Sequence, residues 1–269
     1  MPRYEYRDPL PSREAQEVFK RWIEHLDLEF TKHRKPELRA ELVRDTLHQL
    51  ILGSPHGGRL NFTLTSELAF NVMQLSLDSA NVTLEGEYYG DIDEEKYAER
   101  KPLIWFWQMV DRSPIALNHW LGFRLRAMLG RHIFKSIGKN VKIFHGVEFR
   151  YGYNITIEDD CIIHKHVLLD DRGEVIIRRG TSISDYAAVY SHAHDPVDTL
   201  NVEPRKTELG PDARVTYHST IMAGARVGQA STLGAMGVAT RDVPDNAISG
   251  GVPAKEIKKK DQAKRLPEE

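Results

Sequence analysis

The sequence predicts a mainly β chain, with a parallel β-helix of six-residue repeats over 136–269 following a mainly helical N-terminal region over 1–135. Two observations carry this. Apolar residues recur at spacings of three and four through the first part, and at a spacing of six through the second. A third concerns function: the six-residue period breaks once at length, in a polar stretch that opens with two histidines.

The helical elements come first in the chain. In EVFKRWIEHLDLEF the apolar Val18, Trp22, Ile23, Leu26 and Phe30 share one face, and LRAELVRDTLHQLIL repeats the pattern, which predicts two amphipathic helices. PHGG at 55–58 ends the second, and from there to about residue 100 the pattern separates neither helix nor strand. In PLIWFWQMVDRSPIALNHWLGFRLRAMLGRHIF (102–134), Pro114 divides two expected helices. Its Trp105, Trp107 and Trp120 lie near Arg112, Arg124, Arg126 and Arg131, which leaves two readings: a helix pair packed as core, or a segment in weak contact with an anionic membrane surface.

From residue 137 the aliphatic positions are Ile137 and Ile143, then Ile157, Ile163 and Leu169, then Ile177, Ile183 and Val189, and later Val215, Ile221, Val227 and Leu233. A period of six is that of the hexapeptide β-helix, where each repeat makes one flat face and three faces make a coil of about 18 residues. About five coils are expected, with the periodic aliphatic inward and small residues such as Gly224, Gly228 and Gly234 at tight corners.

Composition bounds the function. Lys+Arg 37 against Asp+Glu 39 gives no whole-chain electrostatic reason to expect nucleic acid as a partner. The only cysteine, Cys161, excludes an intramolecular disulfide framework and a multi-thiolate zinc site. The start, MPRYEYRDPLPSREAQ, has charges where a signal peptide needs an apolar stretch, and no run approaches the ~20 apolar residues of a membrane span. A soluble, cytoplasmic protein is the expectation.

The interruption SHAHDPVDTLNVEPRKTELGPDAR (191–214) is read as an excursion loop projecting from the β-helix, long enough to suggest a functional role. Its histidines, His192 and His194, stand at its start, next to the rigid coil, with Asp195 and Asp198 close by as groups able to orient an imidazole.

These features resemble the hexapeptide-repeat acyltransferases, most closely the galactoside, maltose and polysaccharide O-acetyltransferase branch. The likeness covers residues 137–260 and rests on His194-Asp-Pro-Val-Asp at the start of the excursion, on GAMGVATRDVPDNAISGGVPAK (234–255), and on the Gly-x-Pro-Ala-Lys ending with basic residues beyond it. The resemblance implies left-handed winding, a homotrimer with active sites between subunits, and transfer of an acetyl group from acetyl-CoA to a hydroxyl of a sugar or glycan precursor, with no metal. A histidine would take the hydroxyl proton as the oxygen attacks the thioester directly. The family's catalytic position is five residues after the inward aliphatic, which is His194 after Val189; His192 is the alternative. By the same likeness His164 and Asp171 in HKHVLLDD would line the acceptor pocket, although Asp170 and Asp171 also read as turn residues. Ala235 would meet the pantetheine arm, Thr240 and Arg241 the nucleotide end, and Lys255 and Lys258 the phosphates, shown together by a short helix in PAKEIKKKDQAKR. Lys259, Lys260 and Lys264 read as a solvated basic tail.

Three residues depart from the family pattern: Tyr217 and His218 stand in a corner that often lies near the thioester, and Met236 interrupts Gly-Ala-Gly-Ser. Two other readings therefore stay open. One is a γ-type carbonic anhydrase, with zinc held by histidines among His164, His166, His192, His194 and His218. The other is a non-catalytic β-helix scaffold, with Tyr217 and Met236 closing the groove.

Overall fold

The computed structural model describes residues 9–58 and 68–260, so Lys264 lies outside the described residues. The chain forms two compact units, 1–133 and 134–269.

In the first unit the helices are α1 (Arg13–Lys32), α2 (Pro36–Leu52), α3 (Leu68–Ser76), α4 (Glu94–Ala98), α5 (Lys101–Asp111), α6 (Pro114–Leu117) and α7 (His119–Ile133). Local chemistry sets their ends. The Ser12 side chain accepts from the Ala15 N–H to start α1, and Gly53 closes α2 in the left-handed conformation (φ 69°). Leu26 and Phe30 of α1 are buried as expected, but Val18 is exposed. The face turns slightly, and Phe19 instead places its ring 6.2 Å from that of Trp120.

The segment 102–134 is core. Trp107 and Trp120 are buried, and Arg126 is buried in an ion pair with Asp111 at 2.8 Å while donating to the Ala116 carbonyl at 3.1 Å. Arg124 lies over the Trp120 ring, Arg131 pairs with Asp27, and Arg112 donates to the Gln108 carbonyl. Arg124 and Arg126 are thus engaged within the helical unit, as the packed-core reading expects. Among the described residues no helix is long and apolar enough to cross a membrane.

The second unit is a parallel β-helix with three faces. The first is built from Ser136–Ile137, Ile155–Ile157, Val175–Ile177, Thr207–Leu209 and Arg226–Val227. The second holds Lys142–Ile143, Ile162–Ile163, Ser182–Ile183, Arg214–Val215, Thr232–Leu233 and Ala247–Gly250. The third holds Glu148–Phe149, Leu168–Asp170, Ala188–Tyr190, Thr220–Ile221 and Val238–Ala239. Five full turns and a partial sixth result. From Ile143 to Leu233 the predicted aliphatic stripe is fully buried. Each such side chain contributes roughly 1.5–3 kcal/mol on burial, and together they hold a stack whose strands are only two to four residues long.

Register shows where the period is broken. Pairing advances 20 residues per turn at first (Ile155↔Val175, Leu168↔Ala188), 32 across the excursion (Val175↔Thr207, Ala188↔Thr220), and 18 afterwards (Arg214↔Thr232). The extra residues of the longer turns lie between the third and first faces, at 150–154, 171–174 and 191–206. One edge of the prism therefore carries the inserted residues.

The excursion ends earlier than the expected residue 214. Thr207–Leu209 already pairs in parallel with Val175–Ile177, and Leu209 is fully buried in the aliphatic stripe. The true excursion is an antiparallel hairpin, His192–His194 against Val202–Pro204. The basic ending also differs from expectation. Lys255–Lys259 is a strand, antiparallel to Ala247–Gly250, which covers the last open edge of the second face in place of the expected helix.

Candidate active site

The inserted edge builds a cleft of about 480 Å³ lined by Tyr190, His192, Ala193, His194, Arg205 and Met222, with Ala223 and Thr240 one and two turns on. Its floor is fixed by the coil. The Ser191 hydroxyl donates to the Asp170 carbonyl at 2.6 Å and accepts from the Gly173 N–H at 2.9 Å, and the Arg205 N–H donates to the Ser191 carbonyl at 2.6 Å. The Thr207 hydroxyl donates to the Tyr190 carbonyl at 2.7 Å and accepts from the Gly224 N–H. Both legs of the hairpin are thus tied to rungs of the β-helix.

The two histidines are held differently. His194 is exposed, and its Nδ1 lies 2.6 Å from the Thr199 carbonyl oxygen. A carbonyl only accepts, so Nδ1 carries the proton and Nε2 of the neutral ring carries the lone pair. His192 is largely covered, and its Nδ1 meets Asp170 Oδ1 at 2.8 Å. The rings stand edge to face with centroids 5.2 Å apart.

Asp195 and Asp198, the expected orienting groups, shape the loop instead. Asp195 Oδ1 accepts from the Val197 and Asp198 N–H groups, and Asp198 Oδ1 from that of Leu200. Those bonds, Asp198's first, hold the Asp195 carboxyl below the usual range. The group beside an imidazole is Asp170, a turn residue by its sequence pattern alone.

Asp171 cannot line an acceptor pocket. It is fully buried, and Oδ1 accepts from the Arg150 and Tyr151 N–H groups at 2.9 Å, tying one turn to the next. Burial pushes its carboxyl up to about 6. His164 sits at another edge, between the second and third faces, stacked on Phe144 with centroids 4.8 Å apart. Burial lowers its imidazole below the ordinary range.

Of the residues expected at the co-substrate, Thr240 lines the cleft and Arg241 follows it, exposed. Ala235 is exposed at the edge shared with His164, and Lys255 and Lys258 are exposed on the terminal strand. Tyr217, His218 and Met236 also occupy the Ala235 edge rather than the cleft. There the rings of His166, Tyr186 and His218 stack at successive 5.0 Å centroid distances. Among the described residues no group of three or more His, Cys, Asp or Glu side chains converges as a metal site. His166 and His218 lie on either side of Tyr186.

Sequence reasoning missed Tyr190, Arg205, Met222 and the role of Asp170. The register carried a usable signal for Asp170, because it pairs with Tyr190, two residues before His192.

No protein-family model matches the chain. Among curated proteins, it is 26% identical over 160 residues to the Escherichia coli protein named for colanic acid biosynthesis as the acetyltransferase WcaF, covering 58% of this chain and 87% of that one. It is 27% identical over 141 residues to the galactoside O-acetyltransferase of Escherichia coli, covering 49% and 68%. Among solved structures, a maltose O-acetyltransferase from Clostridium difficile superposes with a TM-score of 0.55 at 19% identity, over 65% of this chain and 92% of that one. A galactoside acetyltransferase in complex with coenzyme A gives 0.54 at 21%, over 62% and 83%. The shared fold is the left-handed hexapeptide-repeat β-helix.

Proposed function

We propose that this chain, a member of the acetyl-CoA-dependent hexapeptide-repeat acetyltransferases, moves an acetyl group from acetyl-CoA to a hydroxyl of a sugar or glycan precursor, with His194 as general base. The observation that carries this is the His194 ring in the cleft, with Nδ1 committed to the Thr199 carbonyl. Nε2 then takes the hydroxyl proton while the oxygen attacks the thioester carbon. As the C–S bond breaks, the same imidazolium returns the proton to the departing sulfur, so atoms and charge balance and the base is restored.

Substrate class rests on two supports. The curated relatives are named for galactoside O-acetylation and for colanic acid biosynthesis, and the cleft presents Tyr190, Arg205 and Thr240 among apolar Met222 and Ala223. Acetyl-CoA would meet Thr240 and Arg241 beside the cleft, with Ala235 at the pantetheine arm and Lys255 and Lys258 at the phosphates. Those last residues and His164 lie away from the inserted edge. A ring of three copies, each lending its second-to-third edge to its neighbour's cleft, would bring them together. The hairpin tip supports such an arrangement, since Val197 and Leu200 are 95% and 91% exposed beside the cleft. A cytosolic location fits the single, buried, unpaired Cys161.

The test is calorimetric titration with acetyl-CoA of the wild type, of His194→Ala, and of the Lys255→Ala/Lys258→Ala double variant. Micromolar binding that survives His194→Ala and weakens in the double variant is the expected result, with turnover in His194→Ala lower by about 10²–10⁴. Absence of binding at millimolar acetyl-CoA would leave the scaffold reading in its place. Light scattering of the same samples gives the oligomeric state.

A further inference from the structure

The cleft holds a second histidine whose environment is the opposite of the first. His192 and Asp170 form a 2.8 Å hydrogen bond with side chains 12% and 6% exposed, and Arg150 Nε lies 3.9 Å from the other carboxylate oxygen. Asp170 is placed by the third face, in register with Tyr190, and its carbonyl is bonded by Ser191. The pair is therefore built on rungs of the β-helix, whereas His194 is held by the hairpin tip.

The two acceptors differ in charge. A backbone carbonyl orients a neutral imidazole, while a covered carboxylate needs a compensating cation and favours the imidazolium. The charged and titratable groups around His192 are Asp170 and Arg150 from the coil, Tyr190 on the strand before it, His194 on its own leg of the hairpin, and Arg205 beyond the opposite leg. Arg205 is itself paired with Glu203 at 2.6 Å. Two histidines 5.2 Å apart thus present their Nδ1 atoms to different acceptors, a carboxylate for His192 and a backbone carbonyl for His194, the kind of contrast that divides roles between like groups.

We infer that His192, oriented by Asp170, acts as an imidazolium whose Nε2–H donates a hydrogen bond to the thioester oxygen as negative charge develops there. This rests on acyl transfer with His194 as base. The hydroxyl proton goes to His194 Nε2, the C–O bond forms, the oxyanion is held by His192, the C–S bond breaks, and sulfur takes the proton from His194. No proton leaves His192, so its role is electrostatic. Asp170 is a positioning residue that acts through it.

A structural role alone, tying hairpin to coil, makes different predictions. The experiment uses the full-length chain as wild type, His192→Asn, Asp170→Asn and His194→Ala, with acetyl-CoA as donor, nitrophenyl glycosides as acceptors and thiol release as the readout. Histidine side-chain nitrogen NMR runs alongside. At pH 7 His192 is expected to carry protons on both nitrogens and His194 on Nδ1 alone. In Asp170→Asn, His192 loses the second proton. His192→Asn is expected to lower kcat about 10²-fold with KM for acetyl-CoA within threefold, as for loss of one oxyanion donor. The pH profile of the wild type rises with deprotonation of His194 and falls with deprotonation of His192, and His192→Asn removes only the falling limb. A neutral His192 at pH 7, or kcat within threefold in His192→Asn, would overturn the inference, and the NMR result decides it even where turnover is too slow to measure. Unchanged kcat in His194→Ala would instead remove the base reading, which the His192 spectrum does not depend on.

Discussion

The Nδ1 atom of His194 lies 2.6 Å from the carbonyl oxygen of Thr199, five residues further along the same hairpin. That carbonyl is aimed by a turn in which Asp195 accepts two N–H bonds, the Asp195 N–H donates to the Asn201 carbonyl, and the Asn201 N–H donates to that of Asp198. The tautomer of the proposed base therefore depends on a carboxylate that never touches it. Asp195→Ala should loosen the turn and lower kcat by roughly tenfold, the size expected when a base loses its alignment. Because Asp195 is exposed, the variant's melting temperature should stay close to that of the wild type. Steady-state kinetics with a parallel thermal melt checks both; unchanged kcat would mean that the loop keeps its shape without the aspartate.

Gly173 sits where the hairpin rejoins the coil. A Cβ there would collide with the Ser191 carbonyl oxygen and with the backbone N and O of Arg205, none of which is a movable side-chain end. Gly173→Ala must therefore displace both legs of the hairpin. The expected cost is ~1–3 kcal/mol of stability, from overpacking against fixed backbone. Activity should fall further than stability alone explains, because His192 and His194 move with the legs. A urea midpoint equal to the wild type's would show that the backbone yields at no cost.

The β-helix is legible because one aliphatic per six residues is a dense, repeated signal. Leu209 shows both its power and its misuse: it stands six before Val215, in phase, yet its polar neighbourhood reads as loop. The site is legible in part. His194 stands out through its motif and Asp170 could be reached through its register with Tyr190, but Arg205 belongs to the inserted edge, where residues fall outside the period and nothing in the spacing says which way they face. The terminal Lys255–Lys259 strand is unreadable for another reason: its partner is an open sheet edge, so pairing overrides a sequence with good helix formers. In the helical unit, a run of tryptophans and arginines carries the same pattern whether it meets lipid or itself. The Arg126–Asp111 pair and the burial of Trp107 and Trp120 support the packed reading.

Cys161 is fully buried, and its thiol donates to the Arg178 carbonyl at 3.1 Å. Burial pushes the thiol up to about 11, so almost no thiolate exists at neutral pH. The native protein should leave a thiol reagent such as Ellman's unreacted over hours at pH 8, and release one equivalent once unfolded in guanidinium. Rapid native reaction would mean that the coil opens locally around the second face.

Asp171 makes the stability of the β-helix depend on pH in an unusual direction. An aspartate in the unfolded chain ionises near 3.8, whereas in the fully buried site burial raises the carboxyl to about 6. Between those values the folded chain binds the extra proton, so stability is greatest below about pH 4 as far as this group is concerned, and falls as pH rises through 6. Above that the ionised group costs on the order of 3 kcal/mol, since each tenfold change in proton affinity between the folded and unfolded chain is worth ~1.4 kcal/mol. Asn at this position keeps a carbonyl oxygen for the Arg150 and Tyr151 N–H groups but does not titrate. Urea midpoints of wild type and Asp171→Asn at intervals from pH 4 to 8 should therefore diverge, the wild type losing stability relative to the variant as pH rises. Parallel curves would mean that the backbone N–H groups keep the carboxylate ionised throughout, and that burial is fully offset by those bonds.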